Sequence, residues 1–261
     1  MNGLRAALWA EVLKARRSPM PLITALGGSI APVVGGVFMA ILKDPVWARQ
    51  HGLIGAKAQL AAGTADWPTF WALLAQAVAV GGLILFGLIA IWVFGREWSD
   101  RTAKDLLALP TPRSAIAGAK FIVVGVWSAL IAALIFFEGL GIGAAVGLPG
   151  WSSGLMLDAA RWIAVTAGLT VALVTPFAWA ASAGRGYLAP VGTLFLVLVL
   201  AQIVAAAGWG VAFPWSIPAL MSGIAGPATP RVGIGSYLLV VLTGVAGVIG
   251  TLVWWQCTDQ T

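Results

Sequence analysis

The chain has 261 residues, of which 60% are hydrophobic and only 9% charged, and its mean hydropathy is +0.96. Soluble domains carry roughly a quarter charged residues, so this composition excludes a soluble domain and marks an integral membrane protein. The formal charge of +6 rests on so few residues that it speaks to topology and lipid contact, not to nucleic acid as a partner.

Residues Asn2 to Ser18 read as an amphipathic helix lying in the membrane surface. Leu4, Leu8, Trp9, Val12 and Leu13 form an apolar stripe, while Arg5, Glu11, Lys14, Arg16 and Arg17 fall elsewhere. A signal peptide does not fit, because the apolar run that follows is long enough to span a bilayer. Six such runs occur, at 21–42, 71–94, 116–146, 160–181, 187–210 and 233–255. They predict an all-α membrane protein, with 1–261 forming one transmembrane domain. Between the first two runs, Lys43 to Pro68 is the longest external segment; 56–62 reads as a short helix and the rest as irregular.

Between the second and third runs, Arg96 to Lys120 carries five basic residues. Asp100 to Leu109 reads as a short helix, with Ser99 or Asp100 as its N-cap. Ala103, Leu106 and Leu107 share one face; Arg101, Lys104 and Asp105 lie on others. Pro110 and Pro112 end it. Further on, Ser182 to Gly186 is a tight glycine turn. Phe213 to Leu220, broken by Pro214 and Pro218, is too short to span, and Ser216 to Gly223 is expected to dip into the outer interface as a short re-entrant helix.

The Lys/Arg distribution sets the orientation. Arg5, Lys14, Arg16, Arg17, Arg96, Arg101, Lys104, Arg113, Lys120 and Arg185 lie on one side, and Lys43, Arg49, Lys57, Arg161 and Arg231 on the other. That asymmetry places both termini and the Arg96–Lys120 loop in the cytoplasm.

Intramembrane chemistry is sparse. Glu138 is the one acid well inside a span, and it costs a few kcal/mol, roughly, unless paired, protonated or wetted. Two readings of it stand. In one, Glu138 faces a water-filled cavity and serves a proton-coupled secondary carrier. In the other, it pairs with Arg161 or caps broken backbone near Gly139, Gly141 and Gly143. Cys257 is the only cysteine and His51 the only histidine, so an intrachain disulfide is excluded and no metal site is expected. The five lysines are followed by Ala, Asp, Ala, Asp and Phe, so the Lys-Ser/Thr pair of a phosphate-binding P-loop is missing. No catalytic motif stands out, and the chain is not expected to be an enzyme by itself.

Phe94-Gly95-Arg96-Glu97, Arg101-Thr102-Ala103-Lys104, Leu107 to Arg113 and Ala119-Lys120 together resemble the first cytoplasmic loop of ATP-binding-cassette (ABC) exporter permeases of the second type. Glu97, Thr102, Lys104, Pro110, Arg113 and Lys120 match that pattern. Arg101 stands where the family often has glycine, which predicts a less sharp turn before Thr102. Glu11, Lys14 and Arg17 resemble the family's N-terminal "E-x-x-K-x-x-R", and Pro214-Trp215 to Pro218 a turn before its last span. The resemblance implies that the short helix couples the chain to a separate ATPase subunit, present in two copies, through Glu97, Arg101, Thr102, Lys104, Asp105, Leu106, Leu107 and Arg113. ATP and Mg would be bound by that partner and no cofactor by this chain. It further implies a second permease copy in a homodimer or heterodimer, a bacterial inner-membrane location with lipids as further partners, and export as the direction. The family's pathway runs between the two copies along the first, second and fifth spans. Gln76, Thr193 and Gln202 are its candidates here, with Glu138 as the remaining polar candidate, and so apolar a route suits a hydrophobic or amphipathic cargo.

Overall fold

In a computed structural model, residues 2–52, 63–108, 110–223 and 232–257 are described. The elements are helical: α1 (Asn2–Arg16), α2 (Met20–Lys43), α3 (Pro45–Gln50), α4 (Trp67–Ser99), α5 (Ala103–Leu107), α6 (Arg113–Val146), α7 (Ser153–Ala183), α8 (Leu188–Ala206), α9 (Ile217–Met221) and α10 (Ile234–Cys257). Six of them, α2, α4, α6, α7, α8 and α10, are long and apolar enough to cross a membrane. These are the six predicted spans, and the chain is an all-α membrane protein. The fifth span is shorter than expected, ending at Ala206, because Gly208 takes a left-handed conformation (φ +84°) and turns the chain.

The bundle is built around the α4–α7 pair, with α10 against α7, and α2 and α6 against each other and against α4. Phe70, Leu74, Val78, Phe86, Ile89 and Phe94 of α4 are buried against this core. The α7–α10 approach is close: a Cβ on Gly247 would come within 2.5 Å of both Thr175 Oγ1 and the Pro176 nitrogen. Pro176 lacks an N–H and so leaves the Ala172 carbonyl without its helical partner. Thr175 Oγ1 sits 2.9 Å from that carbonyl and 2.8 Å from the Gly244 carbonyl, so its single proton is shared between the freed acceptor on α7 and one on α10.

At 33 and 34 residues, α4 and α6 would each reach about 50 Å, against roughly 30 Å of hydrocarbon. They can therefore hold α5 beyond the apolar slab. At the opposite end, the chain after α8 makes two 3₁₀ turns, Gly210–Ala212 and Pro214–Ser216, and then α9. Trp215 Nε1 donates to the Leu173 carbonyl (3.0 Å) and Ser216 Oγ to that of Ala201 (2.9 Å), with Ile217 and Leu220 buried. The short helix expected within Ser216 to Gly223 is thus formed by Ile217–Met221, packed against the bundle. The first external loop is not all irregular: α3 starts where the Asp44 side chain accepts from Trp47 N at 2.9 Å. The helix expected at 56–62 lies outside the described residues.

Candidate functional site

The α5 turn departs from the expected form in an informative way. Asp100 closes α4 and does not cap α5. Arg101 has φ +59°, Thr102 N donates to the Glu97 carbonyl (2.8 Å), and Arg101 N donates to that of Trp98 (3.3 Å). These are the two bonds of a glycine-type helix stop, made with arginine in the left-handed position. The turn is thus as sharp as a glycine would make it, contrary to the expectation of a blunter one. Because three residues go to this stop, α5 begins only at Ala103, and neither Ser99 nor Asp100 serves as its N-cap. Ala103 is buried and Leu106 half-buried against the core, while Arg101, Thr102, Lys104 and Asp105 are exposed. The Leu107 side chain and residue 109 lie outside the described residues.

Glu97 and Arg113, expected at a partner surface, are turned inward. Glu97 is only 3% exposed and Lys120 is fully buried. Lys120 Nζ donates to Glu97 Oε1 (2.8 Å), to Glu11 Oε2 (3.1 Å) and to the Val93 carbonyl (2.7 Å). Lys14 Nζ reaches Glu97 Oε1 (2.8 Å) and Glu11 Oε1 (2.7 Å). Two carboxylates and two ammonium groups therefore close a neutral box that ties α1 to the adjoining ends of α4 and α6. Burial alone would lower the pKa of the Lys14 ammonium; the charges of Glu97 and Glu11 and their hydrogen bonds outweigh this and hold it above its ordinary value. Arg113 donates to the carbonyls of Trp255 (3.3 Å) and Gln256 (3.4 Å), fastening α6 to the end of α10.

The box fixes which side of α1 meets the bundle. Ala7, Glu11 and Ala15, spaced four apart, are its buried positions, whereas Leu4, Trp9 and Val12 are exposed. Its acid faces protein, while Leu4, Trp9 and Val12 of the apolar stripe face outward and Leu8 packs on the core, as suits a helix lying in a bilayer surface. The sequence signal was present in the three-residue spacing of Glu11 and Lys14, but nothing local announces partners 83 and 109 positions away.

The candidate pathway residues do not converge. Gln202 lines a cleft of about 280 Å³ between α4 and α8, beneath α9, together with Ala79, Leu83 and Leu198. Gln76 is half-buried on α4. Thr193 is exposed and bonds back to its own helix at the Ala189 carbonyl (2.9 Å). Glu138 lies elsewhere, between α6 and α2, where Ser29 Oγ donates to its Oε1 at 2.8 Å. It does not pair with Arg161, which meets Asp158 (3.5 Å), and α6 runs unbroken through Gly139, Gly141 and Gly143, so there is no broken backbone to cap.

Comparison with known proteins agrees with this architecture. Residues 7–202 match the family described as ABC-2 family transporter protein. The chain is 24% identical over 179 residues to the bacitracin transport permease protein BCRB of Bacillus licheniformis, covering 68% of this chain and 85% of that one. No solved structure matches. The matched span takes in α1, the charged box, α5 and the first five membrane helices, and the chain belongs to the ABC-2 transporter family as an ABC transporter membrane subunit, of the kind that works with an ABC ATPase.

Proposed function

We propose that this permease couples ATP hydrolysis on a separate subunit to the export of a hydrophobic or amphipathic compound, with α5 as the coupling element. The observation that carries the reading is the placement of α5. Its exposed Arg101, Thr102, Lys104 and Asp105 project from a sharp turn between the two longest helices, and its apolar side rests on the core. A push on α5 is delivered to α4 and α6 together, and through the charged box to α1. Closure of two ATPase subunits on ATP and Mg then rocks the helices between two states as rigid bodies. Both termini and α5 face the cytoplasm of a bacterial cell, in keeping with the excess of Lys and Arg at this end.

Two permease copies, alike or sister chains, complete the assembly. Of the six spans, α8 buries the least of its surface within one chain, leaving Phe195, Leu196, Val199 and Ile203 exposed beside the α4–α8 cleft. A second copy covers this face and makes the cleft with Gln202 part of the route. The relative named for bacitracin transport makes bacitracin the first cargo to test. A photocrosslinking residue at position 104, and another at 47 as the control, tests the arrangement in membranes containing the ATPase. An adduct from 104 alone, in a complex whose native mass fits two permeases and two ATPases, is the expected result. An adduct from 47 alone, or a one-to-one complex, contradicts it.

A further inference from the structure

A groove of about 610 Å³ runs between α1, α2 and the outward face of α6. Its walls are Leu8 and Val12 from α1, Ala25 from α2, and Trp127 and Leu134 from α6. The Trp127 indole N–H is already given to Thr24 Oγ1 at 3.1 Å, so the groove offers no free polar edge there. Along α6 it extends from Ile122 to Leu134, about 18 Å at 1.5 Å per residue. One leaflet of a bilayer supplies roughly 15 Å of hydrocarbon. Among the described residues, the one charged side chain lining it is Arg16, in the last turn of α1. Arg16 is exposed, and among the described residues no acid pairs with it.

We propose that this groove is a binding site for an anionic phospholipid, with an acyl chain along α6 and the phosphate on the Arg16 guanidinium. The planar guanidinium presents paired N–H groups to phosphate oxygens. A net negative headgroup gains from it what a zwitterionic one loses to its own cation. A second copy of the chain fits poorly, because an apolar helix face laid in the groove would strand Arg16 without a counter-charge. The groove between α6 and α7 provides an internal contrast. It holds about 480 Å³ and is also apolar, lined by Ala129, Phe136 and Ala167, but among the described residues no charged side chain lines it. The bound lipid braces α1, whose other side is held by Glu97 and Lys120. The proposal does not rest on the ATPase reading, since it concerns only the leaflet on the α5 side.

The test uses the full chain in nanodiscs doped with phosphatidylglycerol or phosphatidylcholine carrying a photoactivatable acyl chain, with adducts mapped by mass spectrometry. Residues 122–134 are expected to take up the anionic probe about fivefold over the zwitterionic one, the effect of one basic residue near an anionic surface. The α6–α7 groove is expected to show no preference. Arg16→Gln should erase the difference and Arg16→Lys should keep most of it; the position is exposed, so neither change disturbs packing. Equal labelling by both lipids, a preference that survives Arg16→Gln, or chain-to-chain adducts from the groove would each overturn the proposal.

Discussion

Lys120 shows what a single residue contributes to this fold. It is an ammonium group with no exposure, held by two carboxylates and a backbone carbonyl and flanked by the Phe94 and Trp255 rings at 5.9 Å. Removing one partner of a buried pair costs more than the pair contributes, because a charge is left uncompensated. Lys120→Met should destabilise the purified protein by about 3 kcal/mol, read by equilibrium unfolding in detergent. The double change Glu97→Leu with Lys120→Met leaves the Glu11–Lys14 pair intact at 2.7 Å. It should therefore cost clearly less than the two single changes added together; simple additivity would show that the box is not one unit. Arg101 is the opposite case, a residue in a conformation that disfavours it. Its charge sits well at the C-terminal end of α4, which offsets part of the strain. Arg101→Gly should raise the midpoint of thermal unfolding, and Arg101→Val, branched at a positive φ, should lower it. A fall with glycine would mean that the arginine's contacts outweigh its backbone strain.

Among the elements, hydropathy made the spans legible and sequence alone blurred their ends. The runs at 71–94 and 160–181 correspond to α4 and α7, but both helices run on because polar residues at their ends are still capped and paired. Asp66 is one such cap, accepting from Thr69 N at 2.9 Å. The short helix starts later than its residues suggest because Asp100, a good N-cap by type, closes the helix before it. Asp66→Ala should destabilise the start of α4 by about 1 kcal/mol. Burial would raise the Asp66 pKa, yet hydrogen bonds from the Thr64 hydroxyl and from the Thr69 amide and hydroxyl hold it below the ordinary carboxylate value. A lowered folded-state pKa gives stability that is present above the unfolded value and lost as pH falls through the folded one. The penalty of Asp66→Ala should therefore shrink in acid below about pH 4, which thermal unfolding at pH 3 and pH 7 would show.

For the whole molecule, the candidate site divides into residues whose exposure was legible in the sequence and residues whose burial was not. The exposed residues Thr102, Lys104 and Asp105 lie where the local pattern placed them, because a short helix between two spans has few places to go. The loop pattern points Glu97 and Arg113 at a partner surface, but both hold the bundle together instead. Charge in a loop reads as solvated until the packing of α1 and α10 over it is known. α5 rests on the core, and the charged box joins three helices beside it. The most direct measurement is ATP hydrolysis by the reconstituted complex, with and without transport substrate, comparing the native permease with a Lys104→Glu, Leu107→Trp variant. The account predicts that the variant remains folded in the membrane while stimulation of the ATPase by the permease is lost. Undiminished stimulation would contradict it.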